Sequence, residues 1–398
     1  MLKEGKIKTH ELEKFVSPSE AISIRRKYLE DTLNVDLTDI GSFIIDPEIA
    51  SRYNIEHMIG AIQVPLGIAG PVRINGDYAK GEFYLPLATT EGALVASVNR
   101  GCSIINASGG SYTKILEDKM TRAPVFQAKN IHEAIKFKEW IYRNFEKLKE
   151  EAESTTRHGE LKDVRAWLVG RTVFLRFSFD TKDAMGMNMV TIATDKCVDF
   201  VEKNFPIKCI SLSGNLCVDK KPSALNLILG RGKTIIAETF IPEETIKDGL
   251  NTSSNLLVEV NYRKNLIGSS LASSYGFNAH FANIIAAMFL ATGQDIAQVV
   301  EGSHGFTLVE KEEKGVYFSV TLPALEVGTV GGGTRLETQR NSLKILGIKE
   351  GSAGKNAKKL AEIIATGVLA GEISLIGALA AKELASSHKH FARRVEEG

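Results

Sequence analysis

An α+β architecture is what this sequence predicts, and three observations carry the prediction. Apolar residues make up 43% of 398 and charged residues 24%, the mix of an ordinary globular protein rather than a disordered or fibrous one. Strand-like runs rich in Val, Leu, Phe and Ile occupy residues 166–179 and 206–212, while helical patterns occupy residues 279–300 and 356–388. Residues 122–212 read as a compact α+β unit set within material that alternates strands with long helices. A chain of 398 residues is too long for one small core, so about two or three domains are expected. The division is an N-terminal helical segment (1–55), a large discontinuous α+β domain (56–122 and 213–398) and a small inserted domain (123–212).

Each element has a local reason. Ser17-Pro18-Ser19-Glu20 starts a helix that continues through residues 21–33, with Pro early and an acid in the first turn. The density of Pro and Gly in residues 64–71 reads as a junction. Thr90 is expected to cap a helix, placing Glu91 in its first turn, where the helix dipole favours a negative charge. The charged run between Asn130 and Asp163 reads as a solvated helix face. Residues 183–188 break the strand pattern before them, and the run 206–212 ends in Ser213-Gly214-Asn215. No internal repeat or low-complexity linker interrupts this order.

Composition also excludes classes. Lys plus Arg number 49 against 48 for Asp plus Glu, so the chain lacks the field of a general polyanion binder and nucleic acid is not an expected partner. The cysteines Cys102, Cys197, Cys209 and Cys217 form no C-x-x-C pair and read as reduced thiols in a cytoplasmic setting. Residues 1–15 are charged throughout and carry no signal-peptide core. The apolar stretch 363–384 is interrupted by Glu372 and Lys382, so no membrane span is expected. Gly230-Arg231-Gly232-Lys233-Thr234 ends like a phosphate-binding loop, but Leu227 stands where that loop needs its first glycine. No G-x-G-x-x-G follows a strand, and His388-Lys389-His390 has no acidic or thiolate partner at metal-ligand spacing, so no metal is expected.

Four segments place charge in small or glycine-rich surroundings: Thr89-Thr90-Glu91-Gly92, Asp219-Lys220-Lys221-Pro222, Gly293-Gln294-Asp295 and Ser386-Ser387-His388. Singly, each reads as a cap, an ion pair or a surface residue. Together they supply carboxylates, an ammonium and an imidazole, an inventory for reducing a carbonyl with proton delivery.

These segments carry a resemblance. With Glu56-His57-Met58-Ile59-Gly60, residues 65–71 and 87–102, Met120-Thr121-Arg122, Asp183-Ala184-Met185-Gly186-Met187-Asn188, residues 213–222, Asn278-Ala279-His280, residues 328–334 and Ser387-His388, the chain resembles the 3-hydroxy-3-methylglutaryl-coenzyme A reductases. The resemblance covers essentially the whole chain after the first fifty residues. It implies reduction of the acyl-coenzyme A thioester to mevalonate with two NADPH, by a soluble, class I-like member that lacks the membrane anchor of the animal and fungal enzymes. The insert is expected to be ferredoxin-like and to bind NADPH.

Carried over by motif, the expected catalytic residues are Glu91, Lys220, Asp295 and His388. Lys220 would stabilise the oxyanion left by hydride attack, and Glu91 would deliver a proton in the aldehyde step. Asp295 would supply counter-charge, and His388 would protonate the departing thiolate. Arg122, Lys221 and Lys264 are expected to meet the glutaryl carboxylate and its neighbours; Ser97, Ser213, Asn215, Asp219, His280 and Asn283 would hold hydroxyl and carbonyl groups. From its setting alone, His280 reads as a satisfied residue at a helix start. For the cofactor, Asp183, Ala184, Met185, Gly186, Met187 and Asn188 would approach the pyrophosphate, and Thr156-Arg157 would grip the 2′-phosphate.

The resemblance further implies a homodimer or larger assembly with active sites across subunits. It also implies a cis peptide at Cys217–Val218 that aims Lys220, and a C-terminal flap carrying His388. Glu56-His57-Met58-Ile59-Gly60 departs at two positions from the commoner Glu-Asn-Val-Ile-Gly form near the dimer contact. The ten residues after His388 are too few for a regulatory extension. Two rivals are weighed. An NADH-linked degradative homologue is opposed by Arg157, and an inactive acyl-coenzyme A binding protein by the full catalytic set.

Overall fold

The computed structural model describes residues 7–349 and 351–382. The N-terminal segment carries helices α1 (Pro18–Leu33) and α2 (Pro47–Tyr53). α1 begins as expected: Ser17 Oγ accepts the Glu20 N–H at 3.3 Å, and the Glu20 carboxylate accepts the Ser17 N–H at 3.1 Å. This reciprocal cap satisfies donors that the first helical turn leaves unpaired. Ile22, Ala50 and Met58 form a small separate core for the segment.

The large unit is built on one mixed sheet. Strands β1 (Leu66–Asn75) and β2 (Lys80–Ala88) form an antiparallel pair followed by α3 (Leu94–Ala107) and β3 (Ser111–Arg122). The junction expected at residues 64–71 is mostly strand instead. Gly70 takes φ +101° and Pro71 sits at a register shift between Ala69 and Val72, where a strand tolerates proline.

β3 bridges two sheets. Its first part pairs with β1 and with residues 232–238, whereas Met120, Thr121 and Arg122 pair with Phe179, Ser178 and Phe177 of the insert. The insert comprises β4 (Val125–Gln127), α4 (Ile131–Arg143), α5 (Phe145–Glu153), β5 (Glu160–Val169), β6 (Thr172–Asp180), α6 (Met187–Asn204) and β7 (Lys208–Ser211). Its antiparallel strands lie in the order β7–β4–β6–β5 over a core of their own that includes Phe126, Phe137, Leu175 and Val201. The single strand expected at 166–179 is therefore a hairpin; Gly170, at φ +57°, makes the turn that alternation alone did not reveal. The charged run lies on α4 and α5, with exposed pairs such as Arg143–Glu139, as a solvated face should.

The chain then returns through α7 (Ala224–Leu229), β8 (Gly232–Pro242), α8 (Glu243–Leu250) and α9 (Ser254–Val260). A π-helix (Asn261–Gly268), α10 (Ser269–Leu271), β9 (Gly276–Phe277), α11 (Phe281–Thr292) and α12 (Val299–Gly302) follow. β10 (Gly305–Glu312), β11 (Gly315–Leu325), α13 (Glu337–Ile345) and α14 (Lys355–Ala380) complete the order. The large sheet runs β2–β1–β3–β8–β11–β10–β9. The long helix expected over 279–300 is broken at Gly293, which takes φ +71° and closes α11 in a left-handed cap. A side chain there would meet the Gly333 carbonyl at 2.4 Å, so the break is also a close approach of two backbones.

α14 is the core of the large unit. It is long and apolar enough to cross a membrane, yet it is packed against α3, α11 and strands β3, β8 and β11. Each fully buried Leu, Ile or Val on it contributes about 1.5–3 kcal/mol. Its two buried acids have partners: Glu362 accepts the N–H groups of Asp77, Tyr78 and Ala79, and Glu372 those of Ala279 and His280 with the Thr307 hydroxyl. The helix was expected to reach 388; residues beyond 382, His388 among them, lie outside the described residues.

Candidate active site

The expected catalytic and substrate residues among those described fall into two groups at opposite ends of α11. Between Asn283 and Thr292 alone, nine steps of helix put about 14 Å between the groups.

The first group gathers beyond the C-terminal end. The Lys220 ammonium lies 2.8 Å from the Asp295 carboxylate, both partly open to solvent. The hydrogen bond to Asp295 holds the Lys220 pKa above its ordinary value, so the ammonium keeps its proton through the neutral range. Asp295 itself sits in the break after α11, where its carboxylate accepts the Ala297 N–H. Lys220 rides on a loop in which Asn215, Val218 and Lys220 all take positive φ, at 64°, 52° and 56°. Such backbone costs a β-branched or long side chain on the order of 1–2 kcal/mol and persists only where surroundings impose it. The surroundings are on hand: Cys217 O accepts from the Thr121 hydroxyl, Val218 O from Asn226 Nδ2, and the Ala123 carbonyl from the Gly214 N–H. The cis peptide expected at Cys217–Val218 is not formed; left-handed residues bend the loop instead.

Ser213 lies in the same loop with its hydroxyl 3.5 Å from the Cys217 sulfur, and Asn215 and Lys221 are exposed beside it. Arg122 ends β3 next to Thr121, and its buried Nε has no partner among the described residues. Asp219 accepts from Gln298 Nε2 at 2.9 Å and from Arg231 at 3.0 Å.

Arg231, which the sequence places in an incomplete phosphate loop, is the floor of this group. Fully buried, it reaches Asp219, Glu301 at 3.3 Å, Glu326 at 2.9 Å and the Thr121 hydroxyl at 3.2 Å. Burial works against its charge, but Glu326, Asp219 and Glu301 more than offset it and its pKa rises. Burial pushes the Glu301 carboxyl up to about 7 and Glu326 well above the carboxylate range. The glycines around Arg231 are there for space and conformation: Gly230 and Gly232 take φ +67° and +68°, and a side chain on Gly232 would meet the Leu325 carbonyl at 2.5 Å. The available signal was a Gly-Arg-Gly whose arginine had no solvent-facing reason.

The second group lies at the N-terminal end of α11. Glu91 is exposed and accepts from Asn283 Nδ2 at 3.2 Å. It is not in a helical first turn: α3 starts at Leu94 behind Ala93, at φ +70°, and Thr89 Oγ1 binds the Glu91 N–H in place of a Thr90 cap. His280 stands at the start of α11 with Nε2 2.9 Å from the Gly371 carbonyl and Nδ1 3.5 Å from Asn283. Ser97 meets the Ser374 hydroxyl at 2.9 Å, so a short stretch of α14 carries both Ser97 and His280. Lys264 is exposed on the π-helix, which packs against β9 on the approach to His280.

The expected cofactor residues form a third cluster on the insert. Gly186, at φ +94°, precedes the first turn of the 18-residue α6, so unpaired backbone N–H groups and the positive end of the helix face outward past Met187 and Asn188. Thr156 Oγ1 lies 3.2 Å from Met189 Sδ, which brings the exposed Arg157 to the same helix end. Ala184 bridges Val330, and a side chain on Gly328 would meet the Met185 nitrogen at 2.3 Å. The Gly328 N–H in turn binds Gln294 beside Asp295, and Arg231 Nη2 lies 3.1 Å from Met187 Sδ. Cofactor cluster and lysine group are thus physically joined. Asp183 is employed otherwise than expected: its carboxylate accepts from Ser352 and from the Gly354 and Ala357 N–H groups, capping α14. Despite burial, those donors hold its pKa below the ordinary value. No group of three or more metal-ligating side chains occurs among the described residues.

With this geometry in place, comparison with known proteins is informative. A family model described as hydroxymethylglutaryl-coenzyme A reductase matches residues 21–393, further toward the N-terminus than the quoted motifs reach. The 3-hydroxy-3-methylglutaryl-coenzyme A reductase of Pyrococcus abyssi is 56% identical over 396 residues, spanning 98% of this chain and 97% of that protein. That of Methanocaldococcus jannaschii is 55% identical over 395 residues, with the same 98% and 97%. That of Camptotheca acuminata is 43% identical over 98% of this chain and 67% of its own length. Among solved structures, a class II reductase from Streptococcus pneumoniae bound to NADPH superposes with a TM-score of 0.68 at 18% identity, covering 94% of this chain and 100% of that one. At that identity the likeness carries the fold; the class I-like expectation finds no support in it, since the matching structure is that of a class II enzyme. Family model and full-length relatives agree, and the chain belongs to the hydroxymethylglutaryl-coenzyme A reductase family.

Proposed function

We propose that the protein reduces 3-hydroxy-3-methylglutaryl-coenzyme A to mevalonate and free coenzyme A with two equivalents of NADPH, in the cytoplasm, as a step toward isoprenoids. The observation that carries the reading is the Lys220–Asp295 pair, an ammonium fixed beside a carboxylate and facing solvent rather than core. An ammonium so placed stabilises negative charge developing on a thioester or aldehyde oxygen, and needs no reorganisation to do so. Glu91 is the proton source for the aldehyde step, and His388 protonates the thiolate that leaves. Arg122, Lys221 and Lys264 neutralise the glutaryl carboxylate; Ser97, Ser213, Asn215, Asp219, His280 and Asn283 hold its polar groups.

The separation of Glu91 from Lys220 along α11 supports a homodimer in which each site takes Lys220 and Asp295 from one copy and Glu91, His280 and Asn283 from the other. One chain supplies each half of such a site but not both halves together.

The insert fits NADPH. The α6 N-terminus suits the pyrophosphate, the glycine-rich 328–334 segment permits close backbone approach, and Thr156 and Arg157 suit the 2′-phosphate. When bound, the cofactor supplies hydride. In the order β4–α4–α5–β5–β6–α6–β7, with strands arranged fourth–first–third–second, the insert has the pattern of a ferredoxin-like unit. Its separate core supports domain boundaries at 123 and 212, with residues 1–55 as a third part.

The test follows reduced-nicotinamide absorbance with the coenzyme A ester and either NADPH or NADH. Turnover favouring NADPH is expected. Preference for NADH would favour the degradative homologue, and absence of turnover with tight ester binding would favour an inactive binding protein.

A further inference from the structure

Glu301 belongs to none of the motifs read in the sequence, yet it lies fully buried directly under the lysine loop. Its Oε1 accepts the backbone N–H of Lys220 and an Arg231 Nη1 at once. Its other oxygen, Oε2, is buried and without a hydrogen-bond partner among the described residues, as is Oε2 of Glu326 across the same arginine. Among the described residues nothing else accepts that Lys220 N–H, and Lys220 is the residue whose left-handed backbone, at φ +56°, sets the direction of its side chain.

We propose that Glu301 is the positioning residue of Lys220: a buried carboxylate that grips the Lys220 N–H and Arg231 together, holding the loop in the conformation that aims the ammonium at Asp295. The proposal deepens the reductase reading and rests on it for its kinetic consequence alone. Chemistry makes the grip dependent on charge, because a carboxylate accepts an N–H far more strongly than a neutral carboxyl. The charged groups facing Glu301 are Lys220 and Asp219 from the loop, Arg231 from the head of β8 and Glu326 beyond β11. Arg176 of β6 stands behind Arg231, with its own pKa lowered to about 10 by burial and by that neighbour. Arg231 faces three carboxyls, Asp219, Glu301 and Glu326, the last two fully buried, so burial favours a proton on the cluster near neutrality. With its carboxyl raised to about 7, Glu301 is poised to lose it there. The grip is then strong above that pH and weakens below it.

Two measurements on the full chain test this, both with Glu301→Gln, which keeps shape and an acceptor oxygen but cannot ionise. The first is hydrogen exchange at the Lys220 amide from pH 6 to pH 8, corrected for intrinsic chemistry. Protection in the wild type should rise about tenfold across that window and stay flat in the variant. The second is the pH profile of reductase turnover. The wild-type kcat should rise through the same window, whereas Glu301→Gln should show a flat profile at about one-tenth of the wild-type plateau, with KM for both substrates within about twofold. A wild-type amide whose protection ignores pH, or a variant that keeps the wild-type pH step, would overturn the proposal. If the wild type shows no reductase turnover, the reductase reading fails, while the exchange measurement still decides the role of Glu301.

Discussion

The two ends of α11 are built on different principles. Beyond its C-terminal end, the Lys220 ammonium stands on a buried platform: Arg231 with Asp219, Glu301 and Glu326, locked to the Thr121 hydroxyl and the Cys217 carbonyl. At its N-terminal end, Glu91 hangs from a non-helical turn with one amide of Asn283 as its side-chain partner, while the order around it comes from Glu372 and Gly371 of α14. The difference teaches where preorganisation is needed. A group that must stabilise charge the instant it forms is held rigidly. In the proposed reading, a group that delivers a proton is left open until something covers it, and the proposed cover is a second copy of the chain.

Substitutions at the two ends should break this comparison most visibly. Glu91→Gln should lower kcat by about 10²–10⁴, and Lys220→Ala by about 10²–10³, each with little change in thermal stability because both side chains are exposed. A fall in melting temperature that accounts for the lost activity in either variant would make that residue structural.

The cofactor cluster sharpens the same contrast by a smaller margin. Arg157→Ala should raise KM for NADPH about 10–100-fold, the loss of one charge-assisted contact, and leave KM for NADH almost unchanged. Equal losses would move Arg157 off the 2′-phosphate.

The smallest effect is expected at Asp183, which shares a motif with the cofactor residues but caps α14. Asp183→Asn should cost about 0.5–2 kcal/mol of stability with KM for NADPH unaltered. Its carboxyl is held below the ordinary value in the folded state, so its stabilisation is present at neutral pH and lost as pH falls through the folded value. The variant should therefore match the wild type in strong acid and lag behind it at pH 7; a constant gap across that range would contradict the capping role.

What the sequence made legible follows physical lines. The α1 start and the solvated α4–α5 face were readable because caps and charge runs are local. The hairpin at Gly170, the α11 break at Gly293 and the bulge at Pro71 were not, because single glycines and prolines act through backbone conformations that tertiary contacts select. Lys220, Asp295 and Glu91 were identified from resemblance to a motif. Arg231, Glu301 and Glu326 were not, because they touch one another across β8, α12 and the segment after β11, and no spacing along the chain records that contact. His388 lies outside the described residues, so its role stands on the motif.

The central claim is that a complete site needs Lys220 from one copy and Glu91 from another. Mixing the two inactive variants, Glu91→Gln and Lys220→Ala, in equal amounts under conditions that allow subunit exchange tests it directly. With cross-subunit sites, half the dimers are mixed and each of those carries one intact site, so about one quarter of wild-type activity should return. Demonstrated exchange with no recovery would contradict the account, because it would place Glu91 and Lys220 of the same chain in one site.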